Sequence, residues 1–118
     1  MATLSTHLLN STDGTHAGHV GVALSRIGPD GARTPIFSKA TDAGGRLSER
    51  IEITVADAAH EYELVLQTGE YFAKQRLPIP GLRIMKEVVL RFSMPDPAAA
   101  YHMPLMVAPN SYSVWWSN

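Results

Sequence analysis

Residues 101–107 read YHMPLMV, and this stretch shows the pattern that most of the chain repeats. Apolar side chains occupy every second position, at Tyr101, Met103, Leu105 and Val107, while His102 falls between them. A period of two is typical of a β-strand with one face toward a core, because successive side chains point to opposite faces. The stretch therefore predicts a half-buried strand with His102 on the face away from the core.

The same alternation recurs in runs separated by turn-forming glycine, proline, asparagine and aspartate residues. In the run RIEITV (50–55) we expect Ile51, Ile53 and Val55 to share the buried face. A weaker run contains Pro35, which cannot donate to a strand ladder and predicts an edge strand. Seven or eight short strands at this spacing predict an all-β sandwich. The runs are TLSTHLLN (3–10), HVGVALSR (19–26), RIEITV (50–55), YELVLQ (62–67), KEVVLRFSM (86–94) and, more weakly, ARTPIFS (32–38).

One segment breaks the alternation. TGEYFAKQRL (68–77) places Tyr71 and Phe72 at helical spacing with Gln75. Thr68 is the expected N-cap, and the helix is expected to end before Pro78, because the residue preceding a proline disfavours helical geometry. A single short helix is therefore predicted among the strands.

Composition excludes several classes of protein. The 118 residues contain no cysteine and carry a net charge of -1, and a single domain over residues 1–118 is expected at this length. The missing cysteines exclude disulfides and thiolate metal sites, and the balanced charge gives no basis for binding nucleic acid or anionic membranes. No apolar run approaches the roughly 20 residues of a membrane span. Residues 1–10 are too polar for a signal peptide, so a cytoplasmic protein is expected.

Strand parity places two histidines on an outward face. His7 lies opposite the apolar row of its strand, as His102 does, and Leu9 and Met106 share that outward side. An outward sheet face that mixes histidine with apolar side chains indicates cover by another subunit. Each histidine alone fits a polar residue on a wet sheet face. Together they are candidates for acid–base chemistry, because imidazole titrates near neutral pH.

The remaining basic residues carry weaker signals. Arg46 follows a Gly-Gly turn, which fits either an exposed arginine at a strand start or a fixed cation for an anionic or carbonyl-rich ligand. We interpret His16, His19 and His60 as solvated loop residues. A zinc site that includes His16 and His19 is a weaker alternative, because no spacing in the chain matches a tight metal motif.

The order of the motifs resembles that of the 5-hydroxyisourate hydrolases, the transthyretin-related proteins, almost from end to end. LSTHLLN (4–10) is similar to their LSTHVLD-type opening, and TDAGGR (41–46) is similar to their T-x-x-DGR turn. YELVLQTGEYF (62–72) resembles their strand followed by a short helix. DPAAAYHMPLMVAPNSYS (96–113) resembles their DP-x-x-HYHVPLLLSP-x-x-YSTYRGS ending.

The resemblance implies a prealbumin-like β-sandwich of two four-stranded sheets with one short helix, assembled as a homotetramer around a central channel. Trp115 and Trp116 would then be sheltered by the neighbouring dimer. It also implies that water opens a cyclic ureide ring without an organic cofactor. Carried onto this chain, the catalytic residues become His7, Arg46 and His102, with a small cyclic molecule as the substrate.

The C-terminus departs from the family pattern. Where the family reads T-Y-R-G-S, this chain reads VWWSN (114–118), so Trp115 replaces the tyrosine and Trp116 replaces the arginine. Exchanging a guanidinium for an indole removes a bidentate donor and adds apolar area. We therefore expect Trp115, Trp116, Ser113 and Met106 to bind a substrate that is less charged than a urate derivative.

Three functions compete at this point. The first is a hydrolase of the same mechanistic type acting on a lactam, imide or other cyclic amide. The second is a genuine 5-hydroxyisourate hydrolase of purine catabolism with an unusual tail. The third is a transthyretin-like binding protein or non-hydrolytic catalyst that uses the same channel. Retention of His7, Arg46 and His102 favours catalysis over binding.

Overall fold

A computed structural model of the chain describes residues 1–75 and 81–117. These residues form two four-stranded sheets, with strand order β4-β1-β7-β8 in the front sheet and β3-β2-β5-β6 in the back sheet. The predicted sandwich is confirmed. The strands are β1 (Ala2–Asn10), β2 (Gly21–Ile27), β3 (Arg33–Ala40), β4 (Arg46–Ile51), β5 (Glu61–Leu66), β6 (Val88–Ser93), β7 (Ala100–Ala108) and β8 (Ser111–Val114).

The core lies between the two sheets and is built from alternate residues of each strand. In β1 every second side chain is buried from Ala2 to Asn10, and the residues between them, including His7, are half-buried. β7 buries Tyr101, Met103, Leu105 and Val107. Both strands therefore present their apolar rows inward, as predicted.

A buried polar pair also joins β1 and β7, which run parallel to each other. The Thr6 hydroxyl, on the inner face of β1, donates a 2.7 Å hydrogen bond to the Met103 carbonyl. This bond satisfies the hydroxyl where water cannot reach it.

One predicted strand is displaced along the chain. The strand expected over residues 50–55 instead begins at Arg46 and ends at Ile51. Ile51 pairs with Ala2, the first residue of β1, so beyond it β4 has no partner on that strand. Ile53 is still buried, but Val55 is 89% exposed, so its predicted place on the buried face is wrong. A short 3-10 helix (Asp57–Ala59) follows.

The predicted helix is present as α1 (Thr68–Ala73). Its N-cap is Gln67, so the expectation that Thr68 caps it is wrong. Thr68 is instead the first helical residue, and it is buried with Phe72 one turn later, because this face of the helix packs on the sandwich. Pro78 lies outside the described residues. In the part of the chain that the structure describes, no helix has the length and apolarity needed to cross a membrane.

The strand predicted at an edge is confirmed there. β3, which contains Pro35, is the first strand of the back sheet and pairs only with β2 in the described structure. The β2–β3 register shifts between Leu24 and Ser25, where Ser25 pairs with Pro35. The proline therefore sits at an edge and beside a bulge, two places where a missing donor is tolerated.

Candidate active site

Three adjacent strands of the front sheet bring the predicted catalytic residues to one outer face. Arg46, the first residue of β4, pairs directly with His7 of β1. On the other side, β7 runs parallel to β1 and places His102 opposite Ser5, two residues before His7. The histidines are half-buried and Arg46 is exposed on this open face. The fold thus gathers two imidazoles and one guanidinium on neighbouring strands.

A tight turn fixes Arg46 opposite His7. The Asp42 carboxylate accepts a 2.9 Å hydrogen bond from the Arg46 backbone N–H. Gly45 has φ +76°, in the left-handed region, and a Cβ there would collide with the Leu8 carbonyl oxygen. Its own carbonyl accepts a 2.8 Å bond from the Leu8 N–H. Only glycine fits this close approach, so Gly45 sets where β4 begins.

His102 has a side-chain partner that the sequence analysis missed. The Ser5 hydroxyl lies 2.8 Å from the His102 Nδ1, and which of the two donates depends on the histidine tautomer. This bond uses the Nδ1 of His102 and does not involve its Nε2. Strand alternation offered a signal, because Ser5 lies two residues from His7 and so shares its face. The pairing of β1 with β7 could not be read from that alternation.

His16 also contacts the site. Its Nδ1 lies 2.9 Å from the His7 Nε2, and the two rings lie side by side, with centroids 5.0 Å apart and planes 25° apart. The expectation of a loop residue is confirmed, since His16 lies in the exposed β1–β2 connection. Its interaction with His7 had no signal in the spacing, because it arises where the chain folds back along β1.

The other two histidines lie apart from this cluster. His19 is exposed, with φ 59°. His60 is half-buried rather than solvated, with Nδ1 3.7 Å from the Asp57 carboxylate, because it follows directly on the 3-10 helix that carries Asp57. Across residues 1–75 and 81–117, no three histidine or carboxylate side chains are grouped so that they could hold a metal ion. The zinc alternative therefore finds no support in the described geometry.

The surroundings of His7 disfavour its charged form. Burial is the largest cause that lowers the His7 pKa below 6.5, followed by the charges of Arg46 and His16 and, last, that of His102. A backbone hydrogen bond with Gly44 opposes these effects and raises the pKa. The net direction is downward, so His7 is neutral at neutral pH and can accept a proton.

The C-terminal tail extends this face beyond β8. Met106 lies opposite Ser113 in the β7–β8 ladder, and beyond the end of β8 an isolated bridge sets His102 opposite Ser117 in the same register. Facing residues of an antiparallel pair lie on the same face. Met106 and Ser113, both predicted to bind substrate, therefore lie on the His102 face, and the same register places Trp115 there. In one protomer Met106 is 40% and Trp115 is 48% exposed.

Trp116 takes the opposite side of the tail. The register sets it across from Met103, an inner-face residue. Its side chain lines an apolar cavity of about 320 Å³ together with Phe92, Tyr101 and Met103. Within one protomer, Trp116 therefore does not lie beside the histidines. The expectation that it replaces a cation in their pocket is not supported, because strand alternation sends neighbouring tryptophans to opposite faces.

Known proteins share this arrangement of sheets. Residues 4–116 match the HIUase/Transthyretin family. A 5-hydroxyisourate hydrolase of Mesorhizobium japonicum is 36% identical over 113 residues, covering 95% of this chain and 89% of that protein. The structure of (S)-allantoin synthase has a TM-score of 0.81 at 28% identity; the match covers 99% of this chain but only 44% of that longer one. Transthyretin from Sparus aurata has a TM-score of 0.79 at 26% identity, covering 97% of this chain and 95% of that one.

Proposed function

The chain belongs to the HIUase/Transthyretin family, and we propose that it is a hydrolase that opens the ring of a small cyclic amide or ureide with water. The main support is the juxtaposition of His7, Arg46 and His102 on one sheet face. The name of the Mesorhizobium relative supports the same class of reaction. No organic cofactor enters the proposed chemistry, because the two imidazoles and the guanidinium supply proton transfer and charge stabilisation.

Each of the three residues has a distinct role in the proposed reaction. His7, kept neutral, accepts a proton from the attacking water as its oxygen bonds to the ring carbonyl carbon. Arg46 donates hydrogen bonds to that carbonyl oxygen and stabilises the negative charge that develops there. His102 protonates the ring nitrogen as the C–N bond breaks, and its bond to Ser5 holds the imidazole in position. The product carries a carboxylate and a free amine or urea nitrogen.

The proposed substrate is more apolar than a urate derivative. Met106 and Trp115 supply exposed apolar area on the histidine face, and Trp115 stands where the family has tyrosine. Ser113, opposite Met106, contributes a hydroxyl for one polar group of the ring. Because Trp116 lies toward the inner face, the preference rests on Trp115 and Met106.

Two other functions each have an observation in their favour. The first is hydrolysis of 5-hydroxyisourate itself, which the name of the Mesorhizobium relative and the retained residues His7, Arg46 and His102 favour. The second is binding without hydrolysis, favoured by the likeness to Sparus aurata transthyretin. The first differs from our proposal only in the substrate, whereas the second requires that bound ligand is released unchanged.

We further propose that the protein is a homotetramer in which the histidine faces of the protomers line a shared channel. A protomer alone leaves Met106 and Trp115 exposed on the histidine face of the front sheet and its tail. Covering these side chains would remove apolar area from water and enclose the open face that carries the site.

A direct assay tests these proposals. Purified protein is given 5-hydroxyisourate and, separately, a set of neutral five- and six-membered cyclic imides and lactams, and ring opening is followed by absorbance and mass spectrometry. We expect hydrolysis that is lost by a factor on the order of 100 or more in His102→Asn and kept in His19→Asn, a matched change outside the site. Turnover of 5-hydroxyisourate alone would establish hydrolysis of 5-hydroxyisourate as the function. Saturable binding with no product would overturn the hydrolase proposal.

A further inference from the structure

We propose that His16 is a positioning residue for His7, and that the two rings share a proton and titrate as a pair. This inference rests on the proposed function for its catalytic meaning. The pairing itself can be measured without any turnover. His16 becomes in this way a fourth side chain of the site, supplied by a loop rather than by the sheet.

The geometry requires a shared proton. The His7 Nε2 and the His16 Nδ1 are 2.9 Å apart, which is hydrogen-bond distance for two nitrogens. Between neutral imidazoles such a bond needs an N–H on one ring and a lone pair on the other. The position of one proton thus fixes the tautomers of both rings, which lie side by side with their planes 25° apart.

The loop that carries His16 is held against β1 by backbone hydrogen bonds. The Ala17 N–H donates to the Leu8 carbonyl at 2.9 Å, and the Asn10 N–H donates to the Thr15 carbonyl at 2.8 Å. Ala17 itself is fully buried. His16 lies between these two anchors, so its ring is presented to His7 by a fixed backbone rather than by a free loop.

The charges around His7 make the pairing consequential. Arg46 faces it from β4, His102 from β7 and His16 from the β1–β2 loop, and each of these charges lowers the His7 pKa, while burial lowers it most. A second proton on the His7–His16 pair would bring two cations together. The inferred pairing would therefore make the titration of His7 depend on His16. His16 is exposed, so the shared proton has a path to solvent.

The test compares three full-length variants with the unaltered protein. His16→Phe keeps an aromatic ring but removes both nitrogens, and His16→Asn keeps a short hydrogen-bonding group that does not titrate. His19→Asn is the matched control from the same connection, and asparagine tolerates the positive φ at that position. Side-chain ¹⁵N chemical shifts of the histidines, recorded across pH, report the tautomer and the titration of His7 directly.

We expect His7 to titrate in two coupled steps in the unaltered protein and in His19→Asn. In His16→Phe it should titrate in one step, with its pKa raised because a neighbouring positive charge is gone. That variant should also lose roughly fivefold in kcat/KM, the rate equivalent of one net hydrogen bond, and His16→Asn should recover most of this loss. An unchanged His7 titration in His16→Phe would overturn the inference. Absence of turnover in every protein would instead refute the proposed function and leave the titration result standing.

Discussion

The bond between Ser5 and His102 gives the sharpest test of how the site is held. Replacing Ser5 with alanine removes the hydroxyl 2.8 Å from the His102 Nδ1 and nothing else on that side chain. One neutral hydrogen bond contributes a net ~0.5–1.5 kcal/mol. If that free energy stabilises the transition state, Ser5→Ala lowers kcat roughly twofold to tenfold. KM should change little, because the lost bond orients an imidazole rather than binding substrate.

Two further variants make this measurement specific. Ser48 pairs with Ser5 across the β1–β4 ladder and is exposed, so Ser48→Ala is the same chemical change one strand away and should leave kcat unaltered. Ser5→Thr restores a hydroxyl and should recover most of the rate. Steady-state kinetics on the substrate found by the ring-opening assay, with circular dichroism to verify folding, supply the data. Equal rates for Ser5→Ala and Ser48→Ala would refute the positioning role of this bond.

Three other outcomes follow from the geometry. Because the His7 pKa is lowered from 6.5, protonation of this base should reduce kcat/KM only below about pH 6.5. The contribution of His7 to folding stability, present above about pH 6.5, should likewise be lost as pH falls through the lowered folded-state pKa. Trp115→Tyr should raise kcat/KM for 5-hydroxyisourate relative to a neutral cyclic amide while Trp116→Phe leaves the ratio unchanged, and the reverse result would contradict the register of the tail. Gly45→Ala should lower the free energy of unfolding in urea by more than Gly31→Ala does, because Gly31 has a similar φ of +82° but an added Cβ there meets no other atom. Left-handed strain alone costs about 1–2 kcal/mol. Equal losses in the two variants would show that the collision of the added Cβ with β1 contributes nothing.

Much of the fold could be predicted because its signal is local. Apolar side chains recur at every second position of these strands, and this period correctly assigned the inner and outer faces of β1 and β7. The prediction failed where a partner strand ends: Ile51, Ile53 and Val55 keep the alternation, but β1 has no residue left to pair beyond Ile51. The N-cap prediction also failed, because the helix begins one residue earlier than expected, with Thr68 as its first, buried residue.

The candidate site was likewise only partly predictable from the sequence. The residues on the motif-bearing strands, His7, Arg46 and His102, could be named from the motifs they occupy. Their mutual placement could not, since the Ser5–His102 bond joins residues 97 positions apart. His16 sits in a loop with no periodic pattern.

The alternation of apolar and polar residues in the sequence is sufficient to predict a sandwich and to place both imidazoles on an outer face. This is because the direction of a side chain along a strand depends only on its position within that strand. Folding in three dimensions alone set Arg46 across from one histidine and brought the His16 loop against the same ring. These depend on register and on loop return, which arise from pairing between distant segments that no local pattern encodes.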